Sequence, residues 1–176
     1  MIAAANASPQ GLTYATFGVA SVNNVVGQWI AKEAHIKLLN IPFRAGADGA
    51  LATVAGDVAL AIVAPAAVYP AMVNAGAVKV IGITSAQRPS YLPASWPTFA
   101  EKGLRIDAST FFGFFGPTGL SDVAIARLDH VLSIVLNDGT VRERLRQVGL
   151  FAHYLGPADF AKRIQTDKNS YDRIIG

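Results

Sequence analysis

Leu12-Thr13-Tyr14-Ala15-Thr16-Phe17-Gly18-Val19-Ala20-Ser21-Val22-Asn23-Asn24-Val25-Val26-Gly27-Gln28-Trp29-Ile30-Ala31-Lys32-Glu33-Ala34-His35-Ile36 decides the fold. It reads as strand, glycine loop, helix. The strand is Leu12 to Thr16, and the loop is Phe17-Gly18-Val19-Ala20. From Ser21 onward, Val22, Val25, Val26, Trp29 and Ile30 recur at i, i+3, i+4, i+7 and i+8, the stripe of a helix with one buried face. Ser21 is placed to cap that helix by accepting from an N–H two or three residues on. The first-turn N–H groups have no partners inside the helix and sit at the positive end of its dipole. A strand feeding small residues into such a helix end forms an anion site. Thr16, Ser21, Asn23 and Asn24 add neutral hydrogen-bonding groups there. No acid, base or nucleophile with a partner accompanies them, so the chemistry suits gripping a carboxylate or phosphate rather than transforming it. An ordinary βα turn of a parallel sheet is the alternative reading.

The flanking sequence extends the pattern outward. Residues 1–8 read as the last turns of a helix, followed by a turn at Pro9-Gln10-Gly11. Such an opening suggests that Met1 is not the natural start of the full protein. Leu39 to Arg44 reads as a second strand, with Pro42 calling for an edge or irregular position. A helix is expected over 47–55, closed by Gly56. Val58 to Ala64 is unbroken and apolar, as for a strand covered on both faces. Pro65 begins the next helix, to about Asn74, with Pro70 as a possible break. Val78 to Thr84 reads as another strand. Strands and helices therefore alternate over the first 84 residues, which predicts an α/β fold with a mostly parallel sheet and flanking helices.

Beyond that, Pro89, Pro93 and Pro97 punctuate an ordered loop, with a short helix from Thr98 to Lys102 ended by Gly103. Phe111-Phe112-Gly113-Phe114-Phe115-Gly116-Pro117 reads as a buried strand. Three helices follow: Ser121 to Asn137, one opened by a capping box at Thr140-Val141-Arg142-Glu143 and ending at Gly149, and one from Gly156-Pro157 to about Ile175. Ala152 to Leu155 fits a short strand between the last two.

Composition excludes several function classes. Of the 176 residues, 52% are hydrophobic and 15% charged, enough for a large core and too apolar for disorder. The net charge of +3 is mild and scattered, so nucleic acid is not the expected partner. The absence of cysteine rules out disulfides and thiolate chemistry. His35, His130 and His153 share no metal-ligand spacing, and no cofactor motif is present. Gly18-Val19-Ala20-Ser21-Val22 lacks the second glycine of a nucleophile elbow. Asp48 and Asp57 form no paired-carboxylate motif. No apolar run reaches the roughly 18 to 20 residues of a membrane helix. Met1-Ile2-Ala3-Ala4-Ala5 lacks the basic and apolar regions of a signal peptide.

Several stretches together resemble a known family. They are Tyr14 to Gly18 before a Ser/Asn-rich helix start; Ile41-Pro42-Phe43-Arg44, similar to a Val-Pro-Tyr-Lys pattern; and Thr84-Ser85-Ala86-Gln87-Arg88 with Leu92-Pro93, Pro97-Thr98 and Ala100-Glu101-Lys102-Gly103-Leu104. Phe111 to Pro117, Val141-Arg142-Glu143-Arg144-Leu145 and Gly149 complete the set. In this order they resemble the solute receptors of tripartite tricarboxylate transporters, often called Bug proteins. The resemblance implies a type II periplasmic-binding-protein fold whose two α/β lobes close on a small carboxylate without catalysis. It further implies a periplasmic location and membrane transporter subunits as partners.

The family's lobe-two loop, Ser-Gly-Asn-Gly-Thr-Thr-Ser-His, falls on Phe17, Gly18, Val19, Ala20, Ser21, Val22, Asn23 and Asn24. With Ala64 and Pro65 at the end of the 58–64 strand, these are the ligand-binding residues the resemblance implies, and Ser21 would donate to the ligand. Val19, Ala20, Val22 and Asn24 replace Asn, Gly, Thr and His, while Val63-Ala64 stands where the family has Asp-Asn. The pocket wall is accordingly less polar, which implies a less polar ligand or a loss of binding. Residues 1–108 would form the second lobe. Residues 109–176 would cross back and supply helices that pack on a first lobe whose N-terminal part this chain lacks. A second copy is expected to cover the apolar faces at Leu128, Val131, Leu132, Phe160 and Ile164. A single-lobe ligand-sensing or oligomerising module is the alternative function.

Overall fold

The computed structural model describes residues 1–63 and 68–175. The chain divides into two compact units: Met1–Val63, Met72–Thr110 and Tyr171–Gly176 in the first, Ala64–Ala71 and Phe111–Ser170 in the second.

The first unit is built on a three-stranded parallel sheet. Helix α1 (Ile2–Ala7) leads through a turn, where Gly11 takes φ +86°, into β1 (Leu12–Thr16). Then come α2 (Val22–Ala34), β2 (Leu38–Pro42), α3 (Gly46–Ala55), β3 (Leu60–Ala61) and α4 (Val68–Asn74). The strand order is β2-β1-β3, so β1 is central. Leu12 pairs with Leu38 through to Thr16 with Pro42, which puts Pro42 at the last position of an edge strand, where its missing donor costs no ladder bond.

Alternate side chains of β1 serve opposite faces of the sheet. Tyr14 meets Gly27 of α2, and Ala15 meets Gly49 of α3. Two cores result. Val26, Trp29 and Ile30 pack with Phe99, Ile106 and Ala108, joined by Leu38, Ile62 and Ile174. Ala15, Ala52 and Val58 pack with Ile41, Phe43 and Ala61. The expected stripe on α2 is shifted: Val22 is exposed, whereas Asn24 and Gly27 are buried beside Tyr14.

Four expected strands differ, three of them as follows. The 58–64 strand shortens to Leu60–Ala61, because side chains take its backbone groups on either side. The Ala59 N–H donates to Thr13 Oγ1 at 3.0 Å, and Asn23 Nδ2 donates to the Ile62 carbonyl. Residues 78–84 join no sheet among the described residues. Ile83 makes one isolated bridge with Thr98, and the Thr84 carbonyl accepts from Ala108 N–H at 2.9 Å. Residues 152–155 likewise form no strand among the described residues. The turn at 98–103 forms as expected, as a single 3-10 turn, Ala100–Lys102. Thr98 and Glu101 cap it reciprocally, at 2.8 Å and 3.0 Å.

The second unit contains α5 (Asp122–Asn137), α6 (Gly139–Gln147) and α7 (Pro157–Ile175) as far as Ser170. Ser121 caps α5 by accepting from Ala124 N–H. Phe111 to Pro117 is neither a strand nor buried: no strand among the described residues pairs with it, and Phe112, Phe114 and Phe115 are 84%, 77% and 74% exposed. A buried strand needs neighbours on both edges, and the described residues supply none. Phe111 and Phe115 make aromatic contacts with Phe160, at 5.3 and 5.4 Å between ring centres. No residue of α5 is buried, and Val123, Leu128, Val131 and Ile134 stand exposed.

Helix α6 opens differently from the expected capping box. Asp138, not Thr140, is its N-cap, and Asp138 Oδ1 accepts from Val141 N–H at 2.9 Å. Glu143 instead pairs with the Arg146 guanidinium at 2.8 Å, which holds its carboxyl below the ordinary value. Asp138→Ala is therefore expected to cost the helix about 1 kcal/mol and Thr140→Ala much less. Amide hydrogen exchange across 139–147 checks this ordering.

Candidate functional site

The loop between β1 and α2 is held from beneath by a chain of hydrogen bonds. The Tyr14 hydroxyl, buried on β1, donates to Asn24 Oδ1 at 2.6 Å. Asn24 Nδ2 then donates to the Val19 carbonyl at 2.7 Å. One buried amide side chain thus joins the central strand to the loop. Thr16 Oγ1 donates to Asn40 Oδ1 at 2.5 Å and accepts from Gly18 N–H at 3.1 Å. Gly18 adopts φ +106°, a backbone conformation that glycine takes without steric cost, and open space surrounds its Cβ position. The Ser21 hydroxyl donates to the Gly18 carbonyl at 2.7 Å and accepts from Asn24 N–H at 3.2 Å.

This network engages three of the side chains expected to meet a ligand. Ser21 is the N-cap, but its proton goes to Gly18 rather than outward to a ligand. Asn24 is buried under the loop, with its oxygen and one amide hydrogen engaged. Asn23 reaches across to the Ile62 carbonyl, just after β3. What the loop offers is backbone: the N–H groups of Val19, Ala20, Val22 and Asn23 meet no acceptor among the described residues. They lie at the positive end of a thirteen-residue helix with no acidic residue in its first turn. Phe17, Val19 and Val22 are exposed beside them. Ala64 and Pro65 lie outside the described residues. Sequence reasoning missed Tyr14 and Asn40 as supports; the signal was available in a tyrosine and an asparagine inside otherwise apolar strands.

Burial raises the Tyr14 phenol above its ordinary value of 10.0. Folding that keeps a phenol neutral contributes stability that is fully present below the unfolded value and lost as pH rises through the folded one. The first unit should therefore lose stability as pH climbs past about 10, and Tyr14→Phe should flatten that loss. Urea unfolding at stepped pH, followed by fluorescence, measures it. Both tryptophans, Trp29 and Trp96, lie in the first unit and report on it alone.

Among the described residues no group of three or more His, Asp or Glu is placed to hold a metal ion. No described helix is long and apolar enough to cross a membrane.

The sequence profile of the tripartite tricarboxylate transporter family receptor, TctC, matches residues 1–176. The chain belongs to this family. Among TctC relatives, a UPF0065 protein from the tcbD-tcbE intergenic region of Pseudomonas sp. strain P51 is 26% identical over 99% of this chain and 52% of its own length. A Bordetella pertussis UPF0065 protein is 24% identical over 96% of this chain and 52% of its own. The chain therefore spans about half the length of these curated relatives. Solved structures agree in fold. A TctC solute-binding protein from Polaromonas superposes with a TM-score of 0.79 at 22% identity, over 97% of this chain and 59% of that one. MatC from Rhodopseudomonas palustris, with bound malate, gives 0.76 at 21% over 99% and 60%. R. palustris Rpa4515 with adipate gives 0.77 at 17% over 98% and 57%. The α/β fold with a parallel sheet is thus that of the TctC periplasmic binding proteins.

Proposed function

We propose that this chain is the ligand-holding portion of an extracytoplasmic TctC receptor for a small carboxylate, which it delivers to a tripartite tricarboxylate-type transporter in the periplasm. In this reading residues 1–108 are the family's second lobe, and 109–176 supply the crossover and the helices of the first. The carrying observation is the β1–α2 loop, Phe17 to Asn24. It presents four N–H groups at a helix start that meet no acceptor among the described residues. Such a cluster binds a carboxylate by charge-assisted hydrogen bonds. Relatives solved with malate and adipate support the ligand class. Calorimetric titration with adipate and with its uncharged diamide tests the reading. Saturable heat with adipate alone is expected; equal responses to both, or to neither, would overturn it.

The exposed apolar residues of α5 and of the 111–117 segment favour a second reading, that self-association is the chain's main property. Native mass spectrometry separates the two readings: a tight homo-oligomer indifferent to carboxylates supports the second.

A further inference from the structure

We infer that residues 111–115 form a strand edge that pairs antiparallel with the same segment of a second copy, symmetrically about Gly113; this rests on the self-association reading above and names its surface and register. Three observations carry it. First, the side chains already alternate as a strand's do. Phe111 and Phe115 meet the Phe160 ring, and that ring fills the place where a Cβ on Gly113 would stand. Phe112 and Phe114, between them in sequence, are 84% and 77% exposed. Residues i, i+2 and i+4 on one face are the period of a strand.

Second, the backbone of this segment is unpaired. Among the described residues the N–H and carbonyl groups of 111–116 make no hydrogen bond. An apolar patch alone accepts many partners, whereas a row of unpaired donors and acceptors calls for another strand. No charged residue stands between Phe111 and Pro117 to turn one away.

Third, Phe111-Phe112-Gly113-Phe114-Phe115 is the same read in either direction. Antiparallel pairing about Gly113 sets Phe112 opposite the partner's Phe114, and Phe111 opposite the partner's Phe115. Each aromatic then meets an aromatic, and the contact closes with two-fold symmetry instead of propagating. Pro117 has no N–H to give and ends the ladder. Closing the exposed rings of Phe112, Phe114 and Phe115 on both copies removes up to about 900 Å² from water. The paired backbones bring this toward the roughly 1,200 Å² of a specific interface.

The chain has no cysteine, so Phe112→Cys and Phe114→Cys each introduce a single thiol at an exposed position. Opposed residues of an antiparallel pair lie roughly 4.5 to 5.5 Å apart at Cα, within disulfide reach, whereas diagonal ones do not. Native mass spectrometry of the unsubstituted chain is expected to show a dimer. An equimolar mixture of the two variants, mildly oxidised, is expected to cross-link about tenfold faster than either alone. Phe112→Lys should give a monomer, and Leu128→Lys on α5 should leave the dimer intact. A monomeric unsubstituted chain would overturn the inference and the self-association reading with it. A dimer that cross-links no faster in the mixture, that is lost only on Leu128→Lys, or that grows into open-ended aggregates would overturn the inference and leave that reading standing.

Discussion

Gly27→Ala is expected to destabilise the first unit by about 3 kcal/mol, the upper range for forcing extra volume into a packed core. A Cβ at position 27 would lie 2.6 Å from Tyr14 Cζ and 2.9 Å from its hydroxyl oxygen, well inside van der Waals contact. Neither side can yield easily. Tyr14 is fully buried on the central strand, and its hydroxyl is fixed to Asn24, while position 27 sits in the middle of α2 between Val26 and Trp29. The added methyl would gain helix propensity of at most about 1 kcal/mol, too little to offset the clash. Urea unfolding read by tryptophan fluorescence measures the effect. Trimming the ring should relieve it, so Tyr14→Ala and Gly27→Ala combined should cost less than the sum of the two. Strict additivity would mean that the ring does not rest on this glycine.

Asn24→Ala should be nearly as severe and should also reach the loop. The Tyr14 hydroxyl loses its acceptor and the Val19 carbonyl loses its donor. Leaving two such groups unsatisfied costs about 3 kcal/mol together, or roughly 10 °C in Tm for a domain this size. The second consequence is functional. Without its tie to Val19 the loop is free to move, so its amides are no longer arranged for an anion before one arrives, and carboxylate affinity should fall beyond what unfolding explains. Titration at a temperature where the variant remains folded separates the two effects. Unchanged affinity in a destabilised but folded variant would show that Asn24 supports the core without shaping the loop.

The parts of the fold legible in the sequence are those with local causes. The strand–loop–helix from Leu12 to Ala34 was marked by its period and by Ser21, whose capping role is seen in the structure. Helix α3 ended at Gly56 with φ +85°, and α5 began after Ser121, both as the end residues dictate. What depended on distant partners was not legible. An apolar run such as Val78–Thr84 looks the same whether it joins a ladder or lies against Thr98 and Ala108 through isolated bonds. Phe111 to Pro117 has the composition of a buried strand, yet burial requires neighbours that the described residues do not supply. At the loop, the residue types were legible and their bonding was not. Ser21, Asn23 and Asn24 looked like groups for a ligand because nothing in a sequence states that Tyr14, Gly18, Val19 and Ile62 will claim them. The proposed anion site rests on backbone N–H groups instead, which every helix start provides whatever its side chains do.

In the proposed function this TctC chain holds a carboxylate on the backbone of the β1–α2 loop. The most direct measurement is a 1H–15N correlation spectrum of the chain titrated with adipate. Saturable shifts concentrated on the amides of Val19, Ala20, Val22 and Asn23, with little movement along α5 and α6, are the predicted result. Shifts that leave those four amides in place and gather elsewhere would contradict it.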